Sequence, residues 1–197
     1  MKIILASKSP RRKKMLREIG LKFNVWSGEV DERTDKEYKP HSLVKALAKR
    51  KAFQAYKEIK QPKDTLIISA DTVVVLDGKI LGKPKDDDNA REMLASMSGR
   101  CHYVYSGICA IYNGKCVSAY EKTQIKFRKI SSDEIERYIQ TGEHKDKAGS
   151  YGIQEKGGYF VEKVNGDINN VVGLPILKLR DMIFDNFDID IFNMPNN

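Results

Sequence analysis

The twelve residues TLIISADTVVVL, positions 65–76, constrain the fold more than any other stretch. Apolar side chains fall on both faces of this run, so an extended strand here needs cover above and below and belongs in the middle of a sheet. Asp77-Gly78 then reads as a two-residue hairpin turn between the apolar runs 73–76 and 80–81. Asp71 interrupts the run. A lone ionised carboxylate in such a strand costs several kcal/mol unless a cation or hydrogen bonds compensate it, roughly the figure expected for buried charge. Two readings stay open: an Asx-type turn that ends a first strand, or a catalytic carboxylate acting as general base or metal ligand on a rigid element.

The remaining chain alternates strand and helix patterns. Residues 3–6 form a short buried strand and 23–26 a second one. Ser9 is a favourable N-cap and Pro10 suits the first helical position, with Met15, Leu16 and Ile19 as the apolar stripe before Gly20. Residues 28–38 are a polar loop, and 40–59 a helix with Leu43, Leu47 and Ala48 on one face. A further helix covers 86–97, with Ala90, Met93, Leu94 and Met97 in register. Strand patterns follow at 102–112, 115–120 and 122–128. Ser131 and Glu134 form a capping box for a helix ending near Gly142. A glycine-rich run, AGSYGIQEKGGYF, precedes VVGLP and a last helix from Ile176. Hairpins interrupt the alternation, which points to an α/β fold around a mixed sheet. At 197 residues the chain fits one domain spanning 1–197, and the acidic tail 185–197 receives no role.

Charge is unevenly distributed. Residues 1–63 carry 18 basic and 7 acidic side chains, whereas the remainder holds 17 against 20. The asymmetry favours an anionic partner at the N-terminal half, nucleic acid or free nucleotide, against a plain lysine-rich surface. No apolar stretch reaches the roughly 20 residues of a membrane span, and the start MKIILASKSP is too short in apolar residues for a secretory signal. A cytoplasmic protein is expected. Cys101, Cys109 and Cys116 are read as reduced core thiols, since three cysteines without CxxC spacing suggest neither a disulfide framework nor zinc. Any metal is expected to be a hard ion held by carboxylates.

The stretch SKSPRR, 7–12, places two hydroxyls, a proline and two arginines at a helix start whose dipole is already positive. With neither GxxxxGK[ST] nor GxGxxG present, an anion there depends on side chains, Arg11 and Arg12 offering planar forks to phosphate oxygens. The alternative is a capped helix whose arginines face water. Glu32 in VDER, Lys51 in KRKA and Lys83 in LGKP are further candidates, because two carboxylates with several cations suit in-line phosphoryl or nucleotidyl transfer. In DKAGSYGIQ, 146–154, Gly149 and Gly152 permit close backbone approach, and Gln154 presents both a donor and an acceptor to a base edge. A surface turn is the other reading.

These blocks resemble, in order, those of the Maf/septum-formation family of nucleoside triphosphate pyrophosphatases: LASKSPRR, VDE, LAKRKA, SADTVV, LGKP, DKAGSYGIQ and GDINNVVGLP, over residues 2–183. The resemblance implies cleavage of a nucleoside triphosphate by water between the α and β phosphates, with a divalent cation, Mg²⁺ or Mn²⁺. It implies Asp71 as proton acceptor and Arg11, Thr72 and Gln154 as positions of substrate choice, in the combination of the dTTP/UTP branch. Glu32, Lys51, Lys83, Ser7 and Arg12 fall at positions around metal and triphosphate, with Glu32 and Asp71 as metal carboxylates. The implied fold is an elongated α/β structure with a mixed, curved sheet flanked by helices and a cleft between two lobes, similar to inosine triphosphate pyrophosphatases. Two departures lie near the implied base pocket: Glu155 where glycine usually follows GIQ, and Ile168 where an aromatic usually follows the aspartate. Alternatives kept open are a purine or methylated GTP substrate on the same fold, and a basic nucleic-acid-binding regulator of cell division. A homodimer is also left open, and no membrane partner is expected.

Overall fold

The computed structural model describes residues 1–33, 38–59 and 63–193. The elements run β1 (Lys2–Ala6), α1 (Pro10–Glu18), β2 (Asn24–Trp26), α2 (Pro40–Glu58), β3 (Thr65–Leu76), β4 (Lys79–Leu81), α3 (Asp87–Met97), β5 (Cys101–Tyr112), β6 (Lys115–Phe127), α4 (Ser132–Gln140), β7 (Val161–Asn165), α5 (Ile168–Val172) and α6 (Ile176–Phe187). Short 3-10 turns at Glu143–Asp146, Ala148–Ser150 and Lys156–Phe160 connect α4 to β7.

The strands form one mixed sheet in the order β2-β1-β3-β5-β6-β7, with β4 paired to β3. β1 is parallel to both β2 and β3, while β4 and β7 are antiparallel to β3 and β6. The long apolar run is a single strand in the sheet interior: every residue of β3 is buried except the half-buried Thr72. The Asx-turn reading of Asp71 is therefore excluded, since pairing continues on both sides of it. Asp77 and Gly78 take positive φ of 49° and 78°, the two-residue turn expected, and Asn113 and Gly114 repeat it between β5 and β6 with 45° and 82°.

By internal contacts the chain falls into two compact units, the first comprising Met1–Asp71, Ser106–Glu121 and Gly173–Asn197, the second Thr72–Tyr105 and Lys122–Val172. In the first, α2 packs through Ala48, Ala52 and Ala55 on Ala6, Ile67, Cys109 and Ile111. Small residues on both surfaces bring helix and sheet close. A Cβ on Gly107 of β5 would stand 2.3 Å from the backbone of Val44, and the Ser69 hydroxyl donates to the Ala48 carbonyl at 2.6 Å. In the second unit, α3 and α4 enclose Leu94, Met97, Ile135 and Tyr138 with Val104, Ile125, Phe127 and Phe160. The capping box of α4 is present, Ser131 and Glu134 each accepting from the other's backbone N–H.

Several expectations are corrected. Residues 115–127 make one strand instead of two, because pairing with β5 carries the backbone through the polar Glu121-Lys122 step. The inner face of α2 carries Val44 with Leu47 and Ala48, leaving Leu43 half-buried. β7 and α5 had no expected counterpart; β7 is an edge strand with no fully buried side chain, so it lacks a hydrophobic signature. Cys101 is exposed, whereas Cys109 is buried and Cys116 half-buried. The loop expected over 28–38 is irregular at 28–33, and its residues 34–37 lie outside those described. Among the described residues no helix is long and apolar enough to cross a membrane.

Candidate active site

The β1–α1 turn forms around Ser7 and Ser9. Ser9 caps α1 by accepting from the Arg12 N–H at 3.5 Å, and the Ser7 hydroxyl accepts from the Ser9 N–H at 3.3 Å. The same Ser7 oxygen accepts from Arg12 Nη1 at 3.1 Å, while Arg12 Nε donates to the Gly173 carbonyl at 2.8 Å. Arg12 is thus folded inward and only 9% exposed, not turned to water. Burial lowers its pKa from the usual arginine value, and the negative charges of Asp71 and Glu32 oppose that shift. α1 has no acidic residue in its first turn, so the helix dipole adds to the positive field instead of being neutralised there. Arg11 is half-buried beside it.

The field meets two carboxylates. Lys51, on the fourth turn of α2, places Nζ 2.6 Å from Asp71 Oδ1 and 2.7 Å from Glu32 Oε1. Asp71 is 7% exposed on the rigid β3, whereas the Glu32 side chain is 57% exposed on the irregular segment after β2. Two carboxylate oxygens therefore converge on one cationic centre, with a buried guanidinium electrostatically coupled to both. The arrangement sets two carboxylates, an ammonium and a guanidinium in one electrostatic cluster, with one of the carboxylates on a rigid strand.

The structure brings Ser7, Arg12, Glu32, Lys51 and Asp71 together in the first unit. Thr72, Lys83 and Gln154 belong to the second. There Lys83 and Gln154 are both exposed. Their loops are joined by a bond from the Gly149 N–H to the Gly82 carbonyl at 3.0 Å. The glycine-rich run folds tightly on itself: a Cβ on Gly157 would lie 2.8 Å from the Gly152 backbone, and one on Gly158 2.5 Å from the Ile153 carbonyl oxygen. Gly149 and Gly152 make room for the side chains of Val74 and Lys147. Glu155, the departure from the usual glycine, lies 3.2 Å from the ammonium of the buried Lys147.

The profile of Maf-like proteins matches residues 2–185. The chain belongs to the Maf family. Among curated relatives, a protein of Thermoanaerobacter sp. (strain X514) is 46% identical over 191 residues, 96% of this chain and 98% of that one. A Pyrococcus abyssi protein is 48% identical over 181 residues, 92% and 94% of the two chains. One from Clostridium perfringens (strain 13 / Type A) is 45% identical over 194 residues, 97% and 100%. Each is named a dTTP/UTP pyrophosphatase. Among solved structures, the Ham1 protein of Staphylococcus aureus aligns with a TM-score of 0.47 at 14% identity, covering 64% of this chain and 72% of that one.

Residues in the Maf blocks and beside them also do work that was not foreseen. In GDINN, Asn170 is fully buried and donates to the Val104 carbonyl at 3.0 Å and to Thr123 Oγ1 at 2.9 Å, fastening α5 to the sheet. Gly173 of VVGLP supplies the carbonyl that holds Arg12, at a φ of 121°. Glu143 accepts from the Tyr138 hydroxyl at 3.0 Å and from the N–H groups of Lys156 and Gly157, each at 3.1 Å, bracing the run that bears Gln154. Backbone partners of this kind leave no trace in residue type; the motif blocks pointed to Asn170 and Gly173 only, and Glu143 lies outside them.

Proposed function

We propose that this Maf-family protein is a nucleoside triphosphate pyrophosphatase that hydrolyses dTTP and UTP to the monophosphate and pyrophosphate. The carrying observation is the Lys51 ammonium held between Asp71 and Glu32, 2.6 and 2.7 Å from their oxygens, within the field of the buried Arg12. Near-full-length relatives at 45–48% identity bearing the dTTP/UTP pyrophosphatase name support the substrate class.

The donor set suits a hard divalent ion. Two carboxylate oxygens already point at one cationic centre, and Mg²⁺ or Mn²⁺ commonly takes one or two carboxylates plus phosphate and water oxygens. Glu32 and Asp71 are the residues that would hold it, and when bound it supplies charge neutralisation at phosphate oxygens. The chain's own groups do the rest. Asp71 takes the proton of the attacking water as its oxygen bonds to the α phosphorus, and the bond from that phosphorus to the bridging oxygen breaks toward pyrophosphate. Arg12 and Lys51 oppose the charge gathering on the phosphoryl oxygens, where loss of one preorganised donor commonly costs about 3 to 4 kcal/mol. Ser7 keeps the Arg12 fork in place. Arg11, Lys83, Thr72 and Gln154 are proposed as further substrate contacts, with Gln154 reading the base. A cytoplasmic location, where nucleoside triphosphates are made and used, belongs to the same reading.

The test is product analysis on a panel of UTP, dTTP, ITP and methylated GTP with Mg²⁺ or Mn²⁺. Pyrophosphate released fastest from the pyrimidine nucleotides, and turnover nearly abolished in a folded Asp71→Asn protein, is the expected result. Orthophosphate as the product, or full activity of Asp71→Asn, rejects the proposal.

A further inference from the structure

The loop that presents Glu32 is tied to α2 by a contact outside the carboxylate cluster. Arg50 Nη1 donates to the Asp31 carbonyl at 3.2 Å and to the Arg33 carbonyl at 2.8 Å, the two peptide oxygens on either side of Glu32. The loop is also braced from within. Asp31 Oδ1 accepts from the Arg33 N–H and from its Nε, both at 3.0 Å, and Oδ2 accepts from Nη2 at 3.1 Å. Such a carboxylate-to-backbone turn fixes the direction of the residue at its centre.

The centre is Glu32. Its side chain is long, mostly exposed, and carried by a segment without regular structure, so holding its oxygen 2.7 Å from Lys51 costs side-chain and backbone entropy. Arg50 and Lys51 are consecutive on α2, so one helix turn sets both ends of the contact: Lys51 receives the Glu32 carboxylate while Arg50 grips its backbone. Because Arg50 meets carbonyls and not the carboxylate in these bonds, its part is geometric.

We infer that Arg50 is a positioning residue, clamping the Asp31–Arg33 turn so that Glu32 reaches Lys51 and Asp71. The inference rests on the proposed role of Glu32 in catalysis. Loss of a group that orients a working carboxylate typically lowers activity by about 10- to 100-fold.

Arg50→Ala is expected to lower kcat/KM by about that factor, and millimolar guanidinium to restore part of it. Arg50→Lys, a point charge without the planar fork, restores little. Hydrogen–deuterium exchange supplies a readout independent of turnover: amides of residues 28–33 exchange faster in Arg50→Ala, while those of the α2 core do not change. Adding Arg50→Ala to Glu32→Gln should cause no further loss of activity. Wild-type exchange at 28–33 in Arg50→Ala, or a loss that adds in full to that of Glu32→Gln, overturns the clamp. Undiminished turnover of Glu32→Gln overturns the catalytic reading and the clamp together, whereas a damaged Glu32→Gln beside an unaffected Arg50→Ala overturns the clamp alone.

Discussion

Lys51 on α2 and Asp71 on β3 form an ion pair of 2.6 Å in which both side chains are largely withdrawn from water, 15% and 10% exposed. The helix lies over the strand closely enough for a lysine to serve as the counter-ion of a carboxylate in the sheet interior. Removing one partner of such a pair strands the other. Lys51→Met is therefore expected to lower the unfolding free energy by about 3 kcal/mol, the usual consequence of leaving a buried charge uncompensated. The double variant Lys51→Met/Asp71→Asn should lose less than the two singles combined. Urea unfolding of the four proteins decides it, and simple additivity would show that the pair is not coupled.

The approach of α2 to the sheet depends on Gly107. A methyl group there would meet the Val44 backbone at 2.3 Å, and a peptide cannot move aside as a flexible side chain can. Gly107→Ala should shift α2 outward, with a cost of about 3 kcal/mol, at the upper end of overpacking effects. Lys51 rides on that helix, so turnover should fall along with the melting temperature. A variant that melts as the wild type does and keeps its activity contradicts this account of the packing.

Much of this arrangement was legible in the residues. The twelve-residue apolar run, its Asp77-Gly78 turn, the Ser9-Pro10 helix start and the Ser131/Glu134 capping box each follow from local chemistry that tertiary context reinforced. Asp71 stood out because an ionisable group in such a strand requires a partner, and Lys51 is that partner. What could not be read depends on long-range backbone contact. Arg12 turns inward because Gly173, 161 positions later, offers a carbonyl. Arg50 also grips carbonyls, which every residue type carries. β7 and the Glu121-Lys122 step inside β6 belong to the sheet although their side chains carry no clear apolar pattern.

Ser7 has two acceptor bonds, one fixing the turn through the Ser9 N–H and one fixing the Arg12 guanidinium. Ser7→Ala removes one of the bonds that orient the Arg12 guanidinium and keeps the bond from Nε to the Gly173 carbonyl. Loss of one hydrogen bond to a charged group is worth about 1.5 to 3 kcal/mol. A fall in kcat/KM of about tenfold or more for the triphosphate is expected, carried mainly by kcat, because Arg12 meets charge that develops in the transition state. Steady-state kinetics on UTP measure it; a variant with unchanged kcat/KM would show that this hydroxyl does not set the position of Arg12.

The second unit carries its own pH dependence in His102. Its ring is fully buried, edge-on to Phe127 at 4.7 Å and to Tyr151 at 5.5 Å, with Nε2 2.8 Å from the Tyr151 hydroxyl. Among the described residues Nδ1 has no partner, so a protonated ring would bury a charge together with an unmatched N–H. Burial accordingly lowers the His102 pKa from 6.5 to about 4. Between those values the unfolded chain binds a proton that the folded one refuses, so stability is complete above pH 6.5 and declines as pH falls toward 4. The loss through this residue amounts to roughly 3 kcal/mol. His102→Gln, which keeps a group able to meet the Tyr151 hydroxyl, should flatten this part of the profile while costing some stability at neutral pH. Unfolding free energies from urea titrations at several pH values between 7 and 4 test it, and an equal slope in wild type and variant would place the acid sensitivity on other groups.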